Sequence, residues 1–196
     1  MLLILIEVIQ RKKTNEVIQM ANKLIKYLTI EEFKKILSKA KDKETKLALS
    51  LGFGSGLRIS EVVGLKDKLG GWIVPPLQTD NINLEKHQVR VVSGKGSKDR
   101  ITVTSPWLNE TNIKLLPLSI PRRTLQYRIE VLALKHLKKK ISFHTLRHGF
   151  GNYMVNEKNV PLPMVQQLMG HSRIDTTGIY TKANPVQATN TAWEAF

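Results

Sequence analysis

One stretch of this chain has the alternating pattern of β-strands, and helical patterns surround it. Residues 88–92 and 100–104 are rich in β-branched side chains, and the segment between them contains Lys95 flanked by two glycines. This arrangement predicts a β-hairpin with a lysine at its tip. Elsewhere the spacing of apolar residues and the capping signals are those of helices. The chain is therefore predicted to be mainly α with a small antiparallel β-sheet.

Capping residues and helix breakers predict where the helices begin and end. Thr29 and Glu32 have the spacing of a capping box, so a helix should run from there to about residue 40. Gly and Pro pairs at 70–71 and 75–76 predict a loop over residues 66–79. A short helix should hold Tyr180, and further helices are expected over residues 43–53, 59–65, 121–137, 142–157, 161–169 and 185–196.

The charge of the chain favours an anionic partner. Its 31 Lys and Arg residues outnumber 16 Asp and Glu residues, which gives a formal net charge of +15. This excess favours nucleic acid, although a generic basic surface has the same composition. The absence of Cys excludes disulfides and cysteine nucleophiles. Without Cys, a cytoplasmic protein is the simpler expectation. The apolar N-terminal stretch contains Glu7 and is too short to span a bilayer.

Histidine, arginine and tyrosine residues that suit phosphate chemistry lie in the last third of the chain. His144, Arg147 and His148 share one predicted helix, and His171 and Tyr180 follow it. Arg binds an oxyanion bidentately, and His adds a hydrogen bond or a proton. Nearby cations favour the phenolate form of a tyrosine, which is otherwise a poor nucleophile at neutral pH. The pattern predicts a phosphate site that contains a tyrosine, and Tyr180 is either a half-buried core residue or a nucleophile helped by these cations.

Three histidines can also form a metal site. His144 and His148 are four residues apart and can face the same way on a helix, with His171 as a third ligand. Arg147, however, would place a fixed positive charge beside the metal, and no carboxylate lies nearby in the sequence to orient the imidazoles. We therefore expect neither a metal nor another cofactor.

Arg58 and Lys95 are weak candidates when each is taken alone. Arg58 begins a predicted helix after a glycine-rich turn, where it can bind a phosphate or form an ordinary ion pair with Glu61. Lys95 is either a turn lysine that aids solubility or a lysine that reaches into a groove of DNA. It does not belong to a Walker loop, because the spacing and the following residue differ.

Basic residues beyond this site are either a solvated face or a surface that contacts the DNA backbone. The number of cations near the single Glu130 favours the second interpretation. The residues assigned to DNA binding are Arg122, Arg123, Arg128, Lys138, Lys139, Lys140, Lys98 and Arg100.

Five motifs together resemble the catalytic domain of the tyrosine recombinases, the family of phage integrases and Xer-like enzymes. The resemblance extends from about residue 27 to about residue 185, and the motifs occur in the family's order. They are GLRISE at 56–61, GKGSKDR at 94–100, HTLRH at 144–148, LMGH at 168–171 and TTGIY at 176–180. The resemblance implies the α+β fold of that catalytic domain.

The resemblance also implies transesterification without metal or ATP. Tyr180 would attack the scissile phosphate, form a 3′-phosphotyrosyl link and release a 5′-hydroxyl. Arg58 and Arg147 would clamp the nonbridging oxygens, Lys95 would protonate the leaving oxygen, and His144 would take the tyrosine proton. Three residues complete the implied site: His171 on the phosphate, Glu61 as acidic support and His148 as a structural neighbour.

The match to the family implies a domain organisation. Residues 1–28 would be a linker or the remnant of a core-binding domain, residues 29–196 the catalytic domain, and the tail from about residue 182 a contact for a neighbouring subunit. The spacing on either side of Lys95 differs from the family's, and Lys98 is the nearest substitute.

The implied partners are double-stranded DNA with a specific recombination site and further copies of the chain in a synaptic tetramer. Two alternatives stay open. A type IB topoisomerase-like enzyme would use the same chemistry to relax DNA, and a non-catalytic DNA-binding module would need none of it.

Overall fold

The structure of the protein is a computed structural model that describes residues 27–92, 99–170 and 185–196. Four residues of the predicted site therefore lie outside the described residues: Lys95, Lys98, His171 and Tyr180. The short helix predicted around Tyr180 and the tip of the predicted hairpin lie outside them as well.

Two helices with polar side-chain caps begin the described part of the chain. The Thr29 hydroxyl accepts the Glu32 N–H before α1 (Ile30–Lys39), and the Glu32 carboxylate accepts the Thr29 N–H, both at 3.3 Å. Asp42 caps α2 (Lys43–Gly54) by accepting the Thr45 N–H at 2.8 Å. The capping-box prediction is confirmed, and both helices bury apolar side chains.

After the short helix α3 (Ile59–Val63), the segment predicted as a loop contains two strands, so that prediction was wrong in part. β1 (Leu65–Lys66) pairs antiparallel with β2 (Trp72–Val74). The carboxylate of Asp67 accepts the N–H groups of Leu69 and Gly71, both at 2.9 Å, and so closes the turn between them. A carboxylate that bonds its own turn backbone can organise a hairpin within a Gly-containing loop.

The predicted hairpin lies in a three-stranded antiparallel sheet. β3 (Ile82–Asn83) pairs with β4 (Gln88–Val91), and β4 pairs with β5 (Arg100–Val103). Val91 lies opposite Arg100 in this register, so Arg100 is the first residue of β5 that is paired in the described part of the chain.

The remaining helices follow the predicted order, with one addition at Glu110–Ile113 that the sequence did not predict. The helix predicted over residues 142–157 is α-helical to Asn152 and continues as a π-helix over Tyr153–Glu157. Ser142 caps the helix that carries His144 and Arg147, and Gly170, in the left-handed region at φ 65°, ends the helix after it. The helices are α4 (Glu110–Ile113), α5 (Arg122–Leu137), α6 (Phe143–Asn152), α7 (Leu162–Met169) and α8 (Pro185–Glu194). The prediction of a mainly helical chain with a small antiparallel sheet is confirmed.

Close packing of α2 against α6 brings the sequence-distant parts of the site together. A Cβ atom at Gly52 of α2 would lie 2.9 Å from Cζ of Phe143, and one at Gly149 of α6 would lie 2.7 Å from Cε2 of Phe53. Phe53 also stacks on Phe33, with ring centroids 4.2 Å apart. Because glycine lets the helices approach this closely, the turn that follows α2 lies beside α6.

The C-terminal helix α8 packs against its own domain, on β5 and α7. Trp193 stacks on His87 with ring centroids 3.5 Å apart, and Phe196 packs against Trp107 and Tyr153. The described end of the tail thus packs on its own domain, and its contact with a neighbouring subunit stays a prediction. None of the helices in the described segments is long and apolar enough to cross a membrane.

The packing of α2 on α6 predicts unequal effects for two glycines of one helix. In Gly149→Ala the new methyl group would meet Phe53 and, at 2.8 Å, the carbonyl oxygen of Leu28, which cannot move freely. We expect a loss of about 1–3 kcal/mol in the free energy of unfolding, measured by urea denaturation. Gly151→Ala is the control, because its methyl group would meet only the flexible end of Met169. Equal stability of the two variants would contradict this account.

Candidate active site

The carboxyl end of α7 binds three arginines that come from distant parts of the chain. The last carbonyl groups of a helix lack partners within it and carry the negative end of the helix dipole, so they attract guanidinium groups. The three donors and their acceptors are Nε of Arg100 with the Leu168 oxygen at 2.9 Å, Nη2 of Arg147 with the Met169 oxygen, and Nη2 of Arg58 with the Gly170 oxygen at 3.1 Å.

Glu61 joins two of these arginines and is 6% exposed. Its Oε1 accepts from Nη1 of Arg58 at 2.8 Å and from Nη1 of Arg100 at 2.7 Å. Its Oε2 accepts from the backbone N–H of Arg58 at 2.7 Å and from Nη2 of Arg100 at 2.9 Å. Burial raises the pKa of Glu61, but the hydrogen bonds and charge of Arg100, followed by the hydrogen bonds of Arg58, lower it to about 2. Glu61 is therefore ionised at neutral pH.

Arg147 is the most deeply buried of the three arginines, with 2% of its surface exposed. Its Nη1 donates to the carbonyl oxygen of Gly56 at 2.6 Å, in the turn just before Arg58. Burial and the charges of Arg58 and Arg100 lower the pKa of Arg147 to about 9, against the opposing effect of Glu61. Arg147 is thus charged at neutral pH. Three guanidinium groups and one carboxylate give the cluster two excess positive charges.

Arg58 and two histidines form the accessible face of the cluster. The side chain of Arg58 is 43% exposed, and His144 and His148 are both exposed on α6. The two imidazole rings pack edge to face with centroids 4.2 Å apart. Burial, the neighbouring His148 and the charges of Arg147 and Arg58 lower the pKa of His144. The lowered pKa favours the neutral imidazole at neutral pH, which can accept a proton.

The fold brings together all five described residues of the predicted catalytic and supporting set. They are Arg58, Glu61, His144, Arg147 and His148. Lys95, His171 and Tyr180 lie outside the described residues. No group of three or more His, Asp or Glu side chains among the described residues is arranged to hold a metal ion.

The structure places Arg100 inside the charge cluster and not on a surface that contacts DNA. It was assigned to DNA binding, but its side chain is 8% exposed and bonded to Glu61 and to the end of α7. A guanidinium with these bonds and this burial is not presented to DNA in this structure. Sequence reasoning missed its place in the site because its carboxylate partner is 39 residues away. The one available signal was its position at the start of a predicted strand directly after the hairpin turn.

The other described residues assigned to DNA binding lie on the surface, and two of them have acidic partners. Arg128 pairs with Asp42 at 2.8 Å, and Lys139 pairs with Glu32. The remaining four are exposed at the two ends of α5: Arg122, Arg123, Lys138 and Lys140.

Two lysines that the sequence analysis overlooked belong to the same basic surface. Lys35 and Lys39 of α1 lie near enough to His136 of α5 that their charges, after burial and Lys135, contribute to the lowered pKa of that histidine. Their spacing of four residues on one helix is a signal that a search for charge clusters could have used.

Sequence comparison places this architecture among known proteins. Residues 117–186 match the model of the phage integrase family. The chain is 34% identical over 176 residues to the tyrosine recombinase XerA of Pyrococcus horikoshii, covering 81% of this chain and 57% of the relative. It is 33% identical over 153 residues to the tyrosine recombinase XerC of Actinobacillus succinogenes, covering 68% of this chain and 47% of the relative.

A solved structure has the same fold. The crystal structure of XerA recombinase aligns with a TM-score of 0.57 and 26% sequence identity over 81% of this chain and 60% of that chain. The integrase from mycobacterium phage Brujita aligns with a TM-score of 0.54 at 21% identity, which supports the fold alone. Across these relatives the chain spans 47% to 60% of the length of the protein it matches.

The buried carboxylate predicts a specific dependence of stability on pH. The pKa of Glu61 is about 2 in the folded chain, below its ordinary value of 4.5. This difference in pKa stabilises the folded state by about 3 kcal/mol. The stabilisation is fully present above the ordinary pKa of Glu61 and is lost as the pH falls toward the pKa of the folded chain. Urea unfolding of Glu61→Gln should show a smaller loss of stability than the wild type between about pH 5 and pH 3.

The exposed Glu85 provides the matched control for this measurement. Glu85→Gln removes the same charge from the surface and should retain the wild-type dependence on pH. An identical dependence in Glu61→Gln and the wild type would contradict the assignment of Glu61 as a buried, ionised carboxylate.

Proposed function

The chain contains a tyrosine recombinase catalytic domain, and we propose that it cleaves and rejoins DNA at a specific site through a 3′-phosphotyrosyl intermediate on Tyr180. The proposed reaction is a transesterification that uses neither a metal ion nor ATP. The phosphodiester bond energy is kept in the covalent link, so the strand can be rejoined without an external energy source.

The cluster of charges at the end of α7 is the observation that carries this proposal. Attack on a phosphodiester converts a group with one negative charge into a transition state with two. The guanidinium groups of Arg58, Arg100 and Arg147, partly neutralised by Glu61, offer two excess positive charges. Donors fixed before the reaction stabilise such a transition state without reorganisation.

The two proposed catalytic arginines differ in exposure and so act at different distances. Arg58, with 43% of its side chain exposed, can bind a nonbridging oxygen directly. Arg147 is 2% exposed and bonded to the carbonyl oxygens of Gly56 and Met169, so in this arrangement it contributes its charge rather than a direct contact. Its charge still acts on the phosphate, because a guanidinium that is itself buried is only weakly screened by solvent.

The proton transfers of the proposed reaction balance between two residues. The Tyr180 oxygen forms a bond to phosphorus and gives its proton to the neutral imidazole of His144. The bond from phosphorus to the 5′-oxygen breaks, and that oxygen takes a proton from Lys95. His171 would hydrogen-bond the phosphate. The lowered pKa of His144 supports its role as the base at neutral pH.

The proposed partners are double-stranded DNA with a recombination site and further copies of this chain in a synaptic tetramer, in the cytoplasm or nucleoid. The exposed basic ends of α5 and the lysines of α1 supply a surface that can neutralise backbone phosphates. A structure of XerH recombinase bound to its difH substrate aligns at 19% identity with a TM-score of 0.51, so it supports the fold rather than the partner.

A covalent-adduct assay tests the proposed function. Duplex DNA with a cognate site and a nick beside the scissile phosphate traps the cleaved strand, because the short 5′-product diffuses away. We expect the wild-type chain, in EDTA, to form a protein–DNA adduct that resists denaturation. Tyr180→Phe should bind the same DNA with the same affinity and form none, since it lacks only the nucleophilic oxygen.

The controls separate this function from its alternatives. An adduct that persists in Tyr180→Phe would contradict the assigned nucleophile, and an adduct that requires a divalent metal would contradict the metal-free reaction. Bound DNA without any adduct from the wild type would identify a binding module. Relaxation of supercoiled plasmid by a monomer, without strand exchange between two sites, would instead identify a topoisomerase-like enzyme.

A further inference from the structure

We propose that Arg100 is a positioning residue for strand cleavage: it holds Glu61, and through Glu61 the guanidinium of Arg58, against the carboxyl end of α7. The inference rests on the proposed function, because it concerns the arginine that would bind the scissile phosphate. It assigns to Arg100 a role different from the DNA contact that its basic side chain suggests.

The bonds of Arg100 connect two separate segments to its own strand. Both Nη atoms of Arg100 donate to the two oxygens of Glu61, at 2.7 and 2.9 Å, and Nε donates to the Leu168 oxygen at 2.9 Å. The planar fork of arginine matches a carboxylate in this way, and lysine has no equivalent geometry. Arg100 on β5 thus ties the start of α3 to the end of α7.

Arg58 depends on this arrangement more than a buried residue would. Its side chain is 43% exposed, so packing alone does not hold it in one rotamer. Two contacts orient its guanidinium, one with Oε1 of Glu61 at 2.8 Å and one with the Gly170 oxygen at 3.1 Å. Arg100 bonds to Glu61, which provides the first contact, and to the Leu168 oxygen near Gly170, which provides the second.

Gly170 shows how closely Arg100 passes the end of α7. A Cβ atom at this position would lie 2.5 Å from Cδ and 2.9 Å from Nε of Arg100. Gly170 also has a φ of 65°, which favours glycine. The glycine that ends α7 is therefore required both by the backbone turn and by the passage of Arg100 beside it.

The pH dependence of cleavage distinguishes a positioning role of Arg100 from a purely structural one, because it reports on the charges around Glu61. The charged groups that face Glu61 in the described structure are Arg58 before α3, Arg100 on β5 and Arg147 on α6. Without Arg100 the buried carboxylate keeps its desolvation and loses its bidentate partner, so its pKa rises. Protonation of Glu61 at mildly acid pH would then release Arg58.

The test compares Arg100→Met with a matched variant on the same hairpin. Arg90 lies on β4, is 67% exposed and pairs with Asp99 at 3.3 Å, so Arg90→Met removes the same charge from the surface. Single-turnover cleavage of the nicked substrate is measured at saturating DNA from about pH 8 to about pH 5. DNA affinity is measured separately.

We expect Arg100→Met to slow cleavage on the order of 10- to 100-fold at neutral pH, without loss of DNA affinity. The defect should grow as the pH falls, whereas Arg90→Met should follow the wild type. Arg100→Lys keeps the charge but not the fork, so it should not restore the rate, and it serves in place of Arg100→Met if that variant does not fold. In a double variant with Glu61→Gln, the loss should not exceed the larger single loss, since the two residues act as one unit.

Two results would overturn the inference. Weaker DNA binding with a normal cleavage rate at saturating DNA would make Arg100 a DNA contact, and multiplied losses in the double variant would make it independent of Glu61. A wild type that forms no adduct would contradict the proposed function instead. In that case a crystal structure of Arg100→Met decides the inference. The contact between Arg58 and Glu61 should be lost in that variant, and an intact contact would overturn the inference.

Discussion

The candidate site depends on one electrostatic arrangement, the binding of three guanidinium groups to successive carbonyl oxygens at the end of α7. These oxygens lack partners within the helix and carry its negative end, so they can hold cations that would otherwise repel one another. Glu61 completes the arrangement by pairing with Arg58 and Arg100. The result is a fixed excess of positive charge, assembled before any ligand arrives.

Packing far from this charge makes the arrangement possible. Glycines on α2 and α6 allow the two helices to approach until their aromatic neighbours would clash with any added methyl group. That approach places the turn after α2 beside α6, where Arg147 donates to the Gly56 oxygen two residues before Arg58. A loss of helix packing would therefore misplace the arginines without touching them, which links the stability of the core to the function of the site.

Most of the helices were predicted because their signals are local, although the short helix α4, capped by Asn109, was missed. Caps such as Thr29, Asp42 and Ser142 bond to backbone groups only three residues away, and Gly170 ends α7 through its own φ. The hairpin at Asp67 and the place of Arg100 were missed for different reasons. The hairpin depends on one side chain bonding its own turn, and the pairing of Arg100 with Glu61 spans 39 residues, so no local pattern encodes it.

The excess positive charge is proposed to neutralise the phosphate in the transition state, and a substrate with one negative charge fewer tests this role. A methylphosphonate at the scissile position replaces a negative oxygen with a neutral methyl group, so its transition state needs one positive charge fewer. We expect Arg58→Ala to cleave the phosphodiester far more slowly than the wild type, but to cleave the methylphosphonate at about the rate at which the wild type cleaves that same substrate. An equal deficit on both substrates would contradict this role.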